Sequence, residues 1–82
     1  MTNEVRYSVV TVENGIPQPR KEFHAVQAAA EFIAVKHMGG GIVKCLTNAL
    51  TETVNSQRLA GIENRVNEIL AEKGYNGQLW HS

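Results

Sequence analysis

One thiol, three imidazoles and a few glutamates on one helical stretch are the groups of this chain that could do chemistry. Cys45 is the only cysteine, and His24, His37 and His81 are scattered. A nucleophilic thiol needs a base within reach and a polar, partly exposed setting that favours the thiolate. Cys45 sits in the run Ile42–Leu46. On a strand it shares a side with Val43 and points away from Lys44, as a small core residue does. His24 and His37 bracket one helical stretch, roughly 20 Å apart, and cannot meet on one substrate. His37 has a simpler role there, complementing the negative end of the helix dipole. The acids are all glutamates. Glu68 and Glu72 stand one helical turn apart, but a carboxylate pair without an apolar pocket keeps ordinary acidity and makes a solvated face.

Motifs for metals and phosphates are missing. No CxxC, HxxxH or HExxH occurs, so neither a metal site nor another cofactor is expected. Gly39-Gly40-Gly41 follows a helix and enters a strand, the reverse of the strand–glycine–helix order that aims a helix N-terminus at an anion. An enzyme built on Cys45 and a histidine is the weakest of the functional readings, and the expectation is a non-catalytic binding protein.

The elements that must present a binding surface fit one domain of 82 residues. Eight Lys plus Arg balance eight Glu, for a formal net charge of zero. That balance suits neither phosphate-backbone binding, which needs a basic stripe, nor mimicry of DNA, which needs an acidic surface. A single cysteine allows no internal disulfide and fits a reducing compartment. Met1–Arg6 shows no signal-peptide pattern, and no apolar run reaches the ~20 residues of a membrane helix. The expected location is the cytoplasm.

Val5–Val12 reads as a strand, Asn14-Gly15 as a hairpin turn, and Arg20–Phe23 as part of the return strand, placed at an edge by Pro17 and Pro19. Ala25–Met38 reads as a helix with Val26, Ala29, Phe32 and Ile33 on one face, stopped by the glycines. Residues 42–54 admit a helix or a hairpin. The β-branched Ile42, Val43, Thr47, Thr51, Thr53 and Val54 favour the hairpin, with strands 42–47 and 51–56. Leu59, Ile62, Val66, Ile69 and Leu70 mark a second helix, with Asn55 or Ser56 as its cap and Gly74 as its end. Gly61 within it marks close packing or a start at Ile62. The expected fold is α+β in the order ββαββα: a small antiparallel sheet of about four strands with two helices packed on one face.

Three surfaces are candidates. The outer side of the second helix offers Glu63, Asn64, Asn67 and Glu68 for protein binding. The hairpin edge adds the basic pair Arg20 and Lys21. In the tail, Tyr75, Leu79 and Trp80 either fold back on the core or form a homodimer contact.

Two stretches also carry a family likeness: Asn14-Gly15 with Arg20–Phe23 and the helix through Phe32, and the segment LAGIENRVNEI from Leu59 to Ile69. Together they span under half of the chain. They resemble a small phage-encoded anti-CRISPR family, type I-F inhibitors that bind the crRNA-guided surveillance complex. The likeness implies a steric inhibitor whose partners are Cas subunits in a bacterial host, with no direct nucleic-acid contact and no membrane. This chain departs from the family by a shorter N-terminal sheet, with only Tyr7 where the family has its aromatic contacts. It also carries Gly41–Arg58 where the family has a short linker. No contact residue of the family has a matching position here. The alternative is a homodimeric structural or regulatory domain.

Overall fold

Strand β1 (Tyr7–Glu13) organises the molecule, because every other strand pairs with it. The computed structural model describes residues 6–48 and 52–81. On one edge β1 pairs antiparallel with β4 (Ile42–Thr47), from Tyr7↔Thr47 to Val12↔Ile42. On its other edge it pairs with β2 (Ile16–Pro17) and then β3 (Lys21–Phe23). The hairpin turn falls on Asn14-Gly15, with φ of 54° and 76°. Both residues tolerate the left-handed backbone that a tight two-residue hairpin requires.

The return strand is interrupted for a countable reason. Val12 faces Pro17 and Val9 faces Lys21, so Val10 and Thr11 oppose three residues, Gln18, Pro19 and Arg20. One extra residue makes a bulge, and the prolines supply no N–H to the ladder. Gln18 restores one bond, donating its backbone N–H to the Thr11 carbonyl at 2.9 Å.

Helix α1 (Val26–Met38) and helix α2 (Glu52–Glu72) lie on one face of the sheet. Each ends in the same device. The Gly40 and Gly41 amides bond back to the His37 and Lys36 carbonyls, and the Gly74 and Tyr75 amides to Ala71 and Leu70. Gly40 and Gly74 have φ of 87° and 73°, the left-handed turn that closes such helix ends.

The core sits between these layers. Tyr7, Val9, Thr11, Val43 and Cys45 point up from the sheet; Ala29, Ala30, Ile33 and Ala34 come down from α1; Ile62, Val66, Ile69 and Leu70 come from α2. The alanines of α1 let it approach both sheet and partner helix closely. Val26, expected on this face, is exposed instead, since the inward stripe runs through Ala30 and Ala34.

The α+β class, the four antiparallel strands and the two helices on one face agree with the sequence reading, but the order is βββαβα. The fourth strand comes from the broken return strand, not from a second hairpin. Residues 52–56 are helical, so the expected second strand there is replaced; Ala49–Thr51 lie outside the described residues. Extending an existing helix adds a hydrogen bond for each residue fixed, which outweighs the modest β preference of Thr and Val. Asn55 and Ser56 therefore lie inside α2 rather than capping it. Gly61 is exposed in mid-helix, and a Cβ there would meet nothing within 4 Å. It marks neither close packing nor a helix start.

Candidate functional site

The single thiol is sealed off. Cys45 is 2% exposed, among Val9, Val43 and the helix layer. Burial pushes its thiol up to about 11, against an ordinary 9.0, so it stays protonated at neutral pH. Among the described residues, no group of three His, Cys, Asp or Glu side chains stands where it could hold a metal ion.

The tail is tied down at four points. Tyr75 packs edge-on against His37, with ring centres 5.5 Å apart. Nε2 of His37 lies within hydrogen-bond distance of the Gln78 carbonyl oxygen. The Asn67 side chain grips the Trp80 backbone from both sides: its amide donates to the Trp80 carbonyl at 3.1 Å, and its oxygen accepts the Trp80 N–H at 2.9 Å. The buried Trp80 indole N–H then donates to the Val43 carbonyl at 3.1 Å. Among the described residues β4 pairs only with β1, so the tail covers part of a sheet edge that would otherwise invite another strand. The opposite edge is blunted by its prolines and bulge.

These ties redistribute the residues singled out from sequence. Trp80 is spent inside its own chain, Tyr75 is half-buried, and of the tail trio Leu79 alone is exposed. Asn67 is half-buried and committed to Trp80 rather than offered to solvent. Glu63 is largely covered, with His81 3.8 Å away, while Asn64 and Glu68 are exposed. Arg20 and Lys21 stand on the far edge of the sheet, on and beside β3, and α2 makes no contact with β3 among the described residues. The two expected binding patches are thus separate surfaces.

A shallow groove of about 380 Å³ runs between the helices, lined by Gln27, Glu31, Val35, Arg65, Ile69 and Glu72 among others. Four of its polar side chains, Gln27, Glu31, Arg65 and Glu72, are already paired. Arg65 donates to Gln27 at 2.8 Å, to Glu68 at 3.2 Å and to Glu72 at 3.4 Å, and Gln27 donates to Glu31 at 2.6 Å. The Glu68 hydrogen bond and the nearby Glu72 charge hold the Arg65 guanidinium above its ordinary pKa. Such exposed pairs contribute little stability and leave little unmet demand for a ligand.

The unmet demand lies on the other side of the sheet. The face turned away from the helices carries Ser8, Val10 and Val12 of β1 opposite Leu46, Lys44 and Ile42 of β4. Ile42 is 70% exposed and Leu46 is 49% exposed, while Val10 and Val12 are half-buried. A sheet face meant only for water alternates to polar residues, and along its β1–β4 pairs this one is mostly aliphatic. The signal in the sequence is partial: the adjacent apolar pairs Val9-Val10, Ile42-Val43 and Cys45-Leu46 break the in–out alternation of a strand with one wet face. No protein-family model, curated protein or solved structure matches the chain.

Proposed function

We propose that this chain is a small non-catalytic binding protein that acts by laying the bare face of its sheet on another protein. The observation carrying this reading is the row of aliphatic residues on the sheet face turned away from the helices, with Ile42 and Leu46 exposed and Val10 and Val12 half-buried between them. Exposed apolar patches with a polar rim are characteristic of interaction surfaces. The rim here is Ser8, Glu22 and Arg20, and Lys44 stands among the aliphatic residues.

In the form the anti-CRISPR likeness implies, the surface covered belongs to a Cas subunit, and inhibition is steric. The outer side of α2, with Asn64 and Glu68, is the competing surface on the same chain. Tagged protein passed through lysate of a bacterium carrying CRISPR systems tests the partner. Stoichiometric recovery of Cas subunits is the expected result, and recovery of the bait alone would remove the inhibitor reading.

A second copy of the chain is the other occupant to consider, as a homodimeric domain. Sedimentation across a range of concentrations separates the two readings. A monomer throughout agrees with a foreign partner, whereas a dimer that dissociates on Leu46→Glu would place the second copy on this face.

A further inference from the structure

Resting on the reading of the bare sheet face as a docking surface, we infer that its partner is an acidic, aliphatic protein surface. The chain as a whole is neutral, but this face is not. By alternation Arg6 lies on it beside Ser8, and the Arg6 amide donates to the Asn48 side-chain oxygen at 2.8 Å, extending the β1–β4 ladder by one pair. Glu22 is opposite Ser8 and therefore on the same side. Arg6 and Arg20 both converge on Glu22, at 3.7 and 3.8 Å. Lys44 stands between Ile42 and Leu46, directly opposite Val10. Among the described residues the face thus holds three cations and one carboxylate.

Each part of that composition narrows the occupant. Two uncompensated positive charges disfavour a second copy, which would bring the same excess against itself. The aliphatic centre disfavours nucleic acid, which is held by dense basic charge and by aromatic stacking. The aromatic side chains of β1 and β3, Tyr7 and Phe23, point instead to the helix side. An apolar centre is desolvated well only by another apolar surface, and Lys44 within it needs a carboxylate beside it. Glu22 holds the two arginines in place at one corner, where a second acidic group can share them.

The test uses the whole chain and three synthetic peptides, alternating Glu–Val, Lys–Val and Ser–Val, titrated while backbone amide signals are followed by NMR. The Glu–Val peptide is expected to shift Val10, Val12, Lys44 and Leu46 selectively. Its affinity should fall roughly tenfold in Lys44→Glu. It should also weaken as salt rises from about 0.1 M to 1 M and the Debye length contracts to about 3 Å. Lys44 is exposed, so its variant should melt like the parent, and a thermal melt checks this. Equal responses to all three peptides on this face would overturn the acidic partner while keeping the docking surface. Selective binding of Glu–Val at α2, or no response on the sheet to any peptide, would overturn both.

Discussion

Both faces of the sheet carry aliphatic residues, and these meet opposite fates. On β4, Val43 and Cys45 point to the helices and are buried; Ile42 and Leu46, their neighbours in sequence, point away and are exposed. The difference is not hydrophobicity but supply of cover. The described residues build two helices, and both pack on one side. Small domains bury a smaller fraction of their surface, and what stays apolar outside is available for a partner. The covered face should therefore govern stability, and the bare face binding.

Substitutions can break that division or sharpen it. The largest effect is expected at Trp80, which joins the core to the β4 edge. Trp80→Ala should destabilise the fold by about 3–5 kcal/mol, read from urea unfolding. If stability hardly changes, the tail is not part of the core. Asn67→Ala removes both anchors of the Trp80 backbone and should cost about 1–3 kcal/mol. The same loss should appear as faster amide exchange at Trp80, whereas unchanged exchange would show that the clamp is dispensable.

Cys45 gives the covered face a signature in pH. The folded thiol keeps its proton up to about 11, while the unfolded thiol releases it near 9.0. Between those values the unfolded chain holds fewer protons, so stability contributed by the neutral buried thiol is full below the lower value and declines as pH rises through the upper one. A urea series across that range should show the decline in the parent and a shallower one in Cys45→Ala. Parallel slopes would mean the thiol titrates normally.

Gly61 offers a smaller, opposite change. With open space around its missing side chain, Gly61→Ala should stabilise α2 by about 1 kcal/mol. That gain would raise Tm by roughly 4–8 °C and leave the bare face untouched. A lower Tm would point to a constraint on the backbone there. Smallest of all is Leu46→Ser. On the exposed face it should move stability by no more than about 0.5 kcal/mol, and a loss comparable to a core substitution would break the contrast between the faces.

Sequence patterns carried much of this fold but not all of it. Asn14-Gly15 announced the first turn, the glycines after Met38 and Glu72 announced the helix ends, and Leu59–Leu70 announced the inner stripe of α2. Those signals are local, carried by residues that act within a turn or two of themselves. The start of α2 is not legible because Thr51, Thr53 and Val54 speak for a strand, while cooperative helix extension wins at 52–56. The bulge needed a register, which two prolines suggest but do not specify. Asn67 looked like a solvent-facing polar residue, since its partner Trp80 lies beyond a helix end and a turn. In the candidate site, Arg20 is legible as a charge, but Ile42 and Leu46 are not legible as exposed. Beside Val43 and Cys45 they fit a core strand equally well, and only the placement of both helices on one side separates the two faces.

Affinity capture with three baits tests the central claim most directly: the parent chain, Leu46→Glu on the bare face, and Asn64→Ala with Glu68→Ala on α2. The account predicts that a partner recovered by the parent is also recovered by the α2 variant and is lost with Leu46→Glu, while all three baits melt alike. Loss of the partner from the α2 variant with full recovery by Leu46→Glu would contradict it and move the binding surface to the helix.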